Sequence, residues 1–445
     1  MLKPSNYNIF IDCKESNETI IFNSLYGSLA AFNSEEFIIV QQLLNLPNSK
    51  ENISFRKILK DQKFIIPDTV NEFSIIENRK QLGIKDKNRL DIVIMPTLEC
   101  NFSCVYCFEN AKKGRMSDLT MESLKKWMSI EIPKYKLVML SWYGGEPLLN
   151  IKKIFEITEH ANKVTSENNI TLVKHITTNG YNLSKSTINK LISVGIVDYQ
   201  ITIDGVAETH NKLRPLKNGK ETFSHIFSNV INLLEAEKRV KITLRINFNH
   251  LNLHEIPVLL KMFPKSCRNQ LRISFEPIFG NCEISATDNI SSDGISISLA
   301  KYYLIAAELG YDVILGQSLI ETGKLVYCHA ERENQIIINY NSDIFKCGVA
   351  DFNSSDRVGY LDKNGIFVKD AESFDEWMNI PLFETICKSC KYLPLCMGGC
   401  RKSRILNKTT GSFCSLIPTN ASYVLKQIAY NGFNNLVLNS QSEIQ

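Results

Sequence analysis

The chain has 445 residues, 44% hydrophobic and 22% charged, which excludes a disordered protein and suffices for two or three domains with sizeable cores. A net charge of +4 from well-mixed acidic and basic residues offers no broad cationic face to nucleic acid, and no apolar run reaches the length of a membrane span or reads as a signal peptide. That places the chain in the cytoplasm, where thirteen cysteines point to bound metal rather than disulfides.

Residues 1 to about 85 begin with short apolar or alternating segments, "YNIFIDC" and "TIIFNSLYGSLAAF", broken at Asn23 and Gly27; they predict two or three small strands with a hairpin. "SEEFIIVQQLLN" follows, with Ser34 as the expected N-cap and Phe37, Ile38, Val40, Leu43 and Leu44 at helical spacing. A short helix over about 54–61, the strand-like "FIIPD" and a polar stretch to Asn88 complete a small module.

From Asp91 strands alternate with helices. "DIVIMPT", "KLVMLSWYGG", "ITLVKHITTNG", "DYQITIDG", "VKITLRINF" and "QLRISFEPI" are the strand candidates, separated by helices over 120–131, 151–167, 184–194, 222–237 and 253–263. Such alternation predicts an α/β fold: parallel strands with right-handed crossovers in a partial or complete barrel, with chemistry at the C-terminal strand ends. After about residue 285 the regularity stops, leaving a helix over 298–309, a strand pair around "QIIINYNSDIFKC" and a cysteine-dense tail.

Cys100, Cys104 and Cys107 form C-x3-C-x2-C directly after the first barrel strand. Three thiolates on a four-iron cube leave one iron open to a further ligand, whereas zinc normally recruits a fourth protein ligand, and no His or Cys stands nearby in sequence. With this motif at a barrel strand end, the sequence resembles the radical SAM enzymes. The resemblance implies a 4Fe-4S cluster on the three cysteines, S-adenosylmethionine chelated by its unique iron, and reductive cleavage to a 5′-deoxyadenosyl radical that abstracts a substrate hydrogen. It places Tyr106 against adenine and Gly144, Gly145, Glu146 and Pro147 of "YGGEP" at the methionyl amino group. It also lines the cofactor or substrate with Asn179 of "TTNG", Thr202 and Asp204 of "ITIDG" and Arg214 of "HNKLRP". Glycines admit close backbone approach and a carboxylate accepts from an ammonium. Arg245 and Asn247 read equally as an interior polar pair or as ligand contacts. Asp204, His210 and Glu276 are the candidate bases by position alone, with structural polar contacts as the alternative for each.

The tail carries Cys387, Cys390, Cys396 and Cys400 as C-x2-C-x5-C-x3-C, then Cys414, with Cys328 and Cys347 upstream. By spacing alone a structural zinc ribbon competes with iron-sulfur ligation. The pattern closely resembles the SPASM extension of radical SAM enzymes, with Ser342 where that family usually has glycine. This implies one auxiliary 4Fe-4S cluster on Cys387, Cys390, Cys396 and Cys414 and a second on Cys328, Cys347 and Cys400, three clusters in all. The second set is one thiol short, so its open iron would bind a substrate thiolate, water or Cys282. Cys13 and Cys267 are expected as buried apolar thiols.

The N-terminal module resembles the winged-helix peptide-recognition element of enzymes that mature ribosomal peptides, in which a leader adds as a strand to an exposed sheet edge. The resulting reading is a partial (β/α)6 radical SAM barrel with this module before it and a SPASM domain after it: recognition module 1–88, core 89–285, bridge 286–325, auxiliary domain 326–425 and tail 426–445. Its expected partners are a precursor peptide and a reductant such as flavodoxin or ferredoxin, not nucleic acid or membrane. The expected reaction is an oxidative cross-link such as a thioether. The alternatives are formylglycine formation, as in anaerobic sulfatase maturation, and a non-catalytic iron-sulfur or zinc peptide scaffold. Gly348 and Val349 stand after Cys347 where sulfatase maturases usually carry an aspartate.

Overall fold

The computed structural model describes residues 1–13, 17–107, 112–249, 252–278, 301–303, 305–313, 322–349, 351–353 and 356–406. At the N-terminus β1 (Leu2–Pro4), β2 (Asn8–Cys13), β3 (Glu18–Asn23), β4 (Leu29–Asn33), α1 (Ser34–Asn45), α2 (Ile53–Asp61), β5 (Ile65–Pro67) and α3 (Glu72–Ile84) follow in order. β2, β3 and β4 form an antiparallel meander, and β1 pairs with β5. Alternation gives the meander two buried faces. Ile9, Ile11, Cys13, Ile20 and Phe22 pack on Leu395 from the far end of the chain, while Ile21 and Phe32 pack on Val40 and Leu43 of α1 and Leu59 of α2.

Two local expectations change. The N-cap of α1 is Asn33, one residue before the expected Ser34: its side chain accepts from Glu36 N while Glu36 accepts from Asn33 N, a reciprocal capping box. The polar stretch before Asn88 contains α3. Its apolar period is broken because Glu72 and Lys80 are buried, each matched to polar partners in the interior; Glu72 accepts from Ser5 Oγ at 2.6 Å and Asn6 N at 2.8 Å.

The core follows as β6 (Arg89–Ile94), α4 (Asp118–Glu131), β7 (Leu137–Trp142), α5 (Ile151–Glu167), β8 (Thr171–Thr178), α6 (Lys185–Ser193), β9 (Asp198–Thr202), α7 (Ala207–Leu213), α8 (Phe223–Ala236), β10 (Lys241–Phe248), α9 (Ile256–Met262) and β11 (Leu271–Pro277). All six strands are parallel and pair in chain order, as repeated βα units require. The short α7 was not expected. Ile92, Ile94, Leu140, Trp142, Ile176, Tyr199, Ile201, Leu244 and Ile246 fill the layer between sheet and helices.

The remaining elements are β12 (Gln335–Ile338), β13 (Asp343–Phe345), β14 (Gly359–Leu361), β15 (Phe367–Lys369), α10 (Ala371–Met378), α11 (Leu393–Cys396) and α12 (Arg401–Leu406). The expected strand pair is β12 and β13, and it does not stand apart from the barrel. β12 pairs in parallel with β6, Gln335 opposite Asp91 through Ile338 opposite Ile94, so one ten-stranded sheet runs from β11 to β15. Ser342 turns the β12–β13 hairpin with φ of +75°, the left-handed conformation that glycine takes without strain. Cys13 and Cys267 are buried among apolar side chains, as expected. No helix among the described residues is long and apolar enough to cross a membrane.

Candidate functional site: a cysteine-bearing loop over the strand ends

Immediately beyond β6 the chain enters the loop of Cys100, Cys104 and Cys107. The end of α7 and the segment after it hold this loop by backbone bonds: Ser103 N donates to Pro215 O at 2.9 Å, Val105 N to Leu213 O at 3.0 Å, and Lys217 N to Asn101 O at 3.0 Å. The three thiols are half-buried, and none of the described cysteines is in a disulfide. Burial pushes the Cys100 thiol up to about 12 and also raises Cys104, against which the Arg214 guanidinium pulls downward. A bound cationic centre is what would keep such thiols deprotonated.

The loop after β7 rests directly on this one. Gly144 has φ of +106°, and a Cβ there would lie 2.4 Å from Thr97 O. At Gly145 a Cβ would lie 2.5 Å from the carbonyl oxygens of both Leu98 and Glu99, and Glu146 N donates to Glu99 O at 2.8 Å. The close approach of these glycines is thus to the cysteine-bearing loop itself. Glu146 is fully buried, and its carboxylate accepts from Leu148 N at 3.0 Å, Thr178 Oγ1 at 2.7 Å and Asn179 N at 2.7 Å. It ties the end of β7 to the end of β8. Burial raises its pKa against the pull of those donors. Pro147 opens the short turn that follows.

Under the cysteine loop lies a polar cluster at the ends of β8, β9 and β10. Tyr106 donates its hydroxyl proton to Asp204 and accepts from Arg214 at 2.7 Å and Asn247 Nδ2 at 3.0 Å. Asp204 also accepts from Asn247 N at 2.8 Å. Arg214 lies 3.8 Å from that carboxylate, and Arg245 donates to Asn247 Oδ1 at 2.9 Å. Asn179 Nδ2 donates to Asn101 Oδ1 at 2.8 Å, and Thr202 is buried at the end of β9. The structure therefore gathers Tyr106, Asn179, Asp204, Arg214, Arg245 and Asn247 around one loop. Asn101 and Asn252 were missed. Asn252 donates from its side chain to Asp204 O and Asn247 O, and an asparagine in a turn carries no sequence signal for such a role.

The candidate bases separate. Asp204 belongs to the cluster. His210 is fully buried; its Nδ1 accepts from Asp204 N at 3.2 Å, and burial holds its pKa well below the ordinary value, so it supports the β9 end. Glu276 accepts from Ser274 Oγ at 3.1 Å at the end of β11.

Burial raises the pKa of both Cys347 and Cys387; repulsion from Cys328 and Cys400 adds to it at Cys347, as repulsion from Cys396 and Cys390 does at Cys387. Cys414 and Cys282 lie outside the described residues. Among the described residues no three His, Cys, Asp or Glu side chains converge on one ion position; thiolates that ligate a cube bind separate irons and stand farther apart.

Residues 94–263 match the Radical SAM superfamily. The chain thus carries a radical SAM domain, a domain class that implies S-adenosylmethionine and a 4Fe-4S cluster. Among relatives, the cysteine-type anaerobic sulfatase-maturating enzyme of Clostridium novyi (strain NT) is 24% identical over 391 residues, covering 77% of this chain and 98% of its own length. Two other relatives match over 129 and 178 residues, and the chain spans only 43% and 41% of their length. Two solved structures share the fold: native anSMEcpe with bound AdoMet, at 20% identity, TM-score 0.60, 79% of this chain and all of that one, and Streptococcus suis SuiB bound to precursor peptide SuiA, at 16% identity, TM-score 0.54, 94% of this chain and 99% of that one. The residues present fit the implied groups: three half-buried thiols on one loop, and a glycine pair that lets the next loop close against it.

Proposed function

We propose that the protein is a maturase of ribosomally made peptides, with residues 1–88 as the recognition module, 89–285 as the catalytic core and 326–425 as an auxiliary-cluster domain. The observation that supports this reading is the reach of the likeness: the fold shared with SuiB, solved with its precursor peptide SuiA bound, takes in 94% of the chain, against 79% for anSMEcpe.

Cys100, Cys104 and Cys107 would hold the catalytic cluster; with S-adenosylmethionine bound, it supplies one-electron cleavage and hydrogen abstraction. Gly144 and Gly145 close the neighbouring loop on the cysteine loop, and Glu146 fixes β8 beneath it. Tyr106, Asp204, Arg214 and Asn247 pin the segment between the second and third cysteines to the barrel rim. Cys387, Cys390, Cys396 and Cys414 would hold one auxiliary cluster, and Cys328, Cys347 and Cys400 another with an open position for a substrate thiolate. The product fitting that open position is an oxidative thioether link.

The test is the mass of short peptides encoded beside the gene, co-expressed anaerobically with the enzyme and with its Cys100→Ala/Cys104→Ala/Cys107→Ala variant. Loss of a pair of hydrogens only with the intact enzyme is expected. Unchanged masses for every peptide, with no deuterium uptake at an α-carbon, would sink the proposal. A second reading, oxidation of a protein cysteine to formylglycine, is favoured by the full-length relation to the Clostridium enzyme; conversion of a sulfatase-derived cysteine peptide would establish it.

A further inference from the structure

α3 delivers a buried cation to the backbone that carries the auxiliary cysteines. Lys80 Nζ lies 2.8 Å from Glu331 Oε1, with both side chains wholly inaccessible to solvent. The same ammonium donates to Met397 O at 2.5 Å, one residue after Cys396. The other oxygen of Glu331 accepts from Tyr327 N at 2.7 Å, the residue before Cys328, and Arg401 Nε, directly after Cys400, stands 3.9 Å from Oε1. The ammonium of a helix some 250 residues earlier in the chain, and the Glu331 carboxylate it meets, thus touch the immediate neighbours of three cysteines. The contact continues along the helix. Gly83 lies against Leu325 and Val326, a Cβ there falling 2.6 Å from Leu325 Cβ, and its carbonyl accepts from Arg332 at 3.1 Å.

A buried ion pair is poor evidence of stabilisation, since a well-packed apolar pair often does as well. What it supplies is direction: charge-assisted bonds fix where the loops stand, while apolar contacts tolerate sliding.

We propose that Lys80 is a positioning residue for the auxiliary site, so that the N-terminal module, through the Lys80–Glu331 pair, sets the loops of Cys328 and Cys400 and is coupled to cluster loading there. The proposal rests on reading Cys328, Cys347 and Cys400 as iron-sulfur ligands. It deepens that reading, because the module expected to recognise peptide becomes a structural part of the site expected to receive the peptide's thiol.

The experiment compares full-length, anaerobically reconstituted wild-type protein with Lys80→Met. Wild type is expected to hold about twelve irons per chain and the variant about eight. The electron paramagnetic signal perturbed by S-adenosylmethionine should persist, and remaining auxiliary signal should shift to more negative potential for loss of a nearby positive charge. Coupling is reciprocal, so a second measurement works even if Lys80→Met does not fold. Hydrogen exchange over 72–84 should quicken about tenfold in a Cys328→Ser/Cys347→Ser/Cys400→Ser variant, with exchange over 34–45 unchanged. Full iron and an unshifted auxiliary potential in Lys80→Met overturn the proposal, as does indifference of 72–84 to the missing thiols. About four irons in wild type overturns the auxiliary-cluster reading itself, before any substitution is made.

Discussion

Gly145 shows how little freedom a single position has at this site. Its missing Cβ is what lets the β7 loop lie on Leu98 and Glu99, and because the obstructing atoms are backbone carbonyls, no side chain can swing aside for a methyl group. Gly145→Ala is expected to displace the Cys100 loop and lose about four irons with little change in global unfolding, read by iron analysis of the reconstituted protein. Retained iron would show that the loop yields. His210 makes a different kind of prediction. Its folded pKa is well below 6.5, so the unfolded chain takes up the proton first as pH falls. Stability is therefore full above about 6.5 and declines below it by up to about 1.4 kcal/mol per pH unit from this group. Denaturant midpoints between pH 7.5 and 5.5 should fall for wild type and less steeply for His210→Gln. The Cys100 spacing and the glycine pair could be read from the sequence because they are contiguous motifs. The web among Tyr106, Asp204, Arg214 and Asn247 could not be read as a unit, since residues separated by up to 141 positions meet only when strand ends are brought together.

Strands and helices of the barrel were legible because each follows one clear period, and α5 spans 151–167 as the apolar spacing predicts. The failures have physical causes. α3 carries buried charge where a helix face should be apolar, α7 has only seven residues, and the α1 cap went to Asn33 because its side chain, not that of Ser34, meets Glu36. That cap is testable. Asn33→Ala should cost about 1 kcal/mol, seen as faster hydrogen exchange in the first turns of α1; unchanged exchange would mean that packing of Val40 and Leu43, not the cap, sets where the helix begins. β12 was expected as half of a hairpin, and its second partner, β6, could not be inferred from "QIII" alone, since an apolar strand does not name its neighbour.

Across the full chain, the N-terminal module, the barrel and the cysteine-rich tail share interior surface. Leu395 and Met397 pack with Ile9, Tyr7 and Ile76, and β12 covers the free edge of β6. A fragment of residues 89–278 would keep the six parallel strands but expose that edge, "DIVI", as an open template. It is expected to form oligomers or precipitate where the full chain is monodisperse, as judged by size-exclusion chromatography with light scattering; a soluble monomeric fragment would show that the edge protects itself. The same pairing bears on how the protein comes into being. β6 leaves the ribosome about 240 residues before β12, so at roughly 5–20 residues per second its edge stays uncovered for roughly 10–50 s. Over that interval the nascent barrel depends on chaperones or on rapid burial of its other surfaces, and the growth conditions that set translation speed become a determinant of how much active protein a cell recovers.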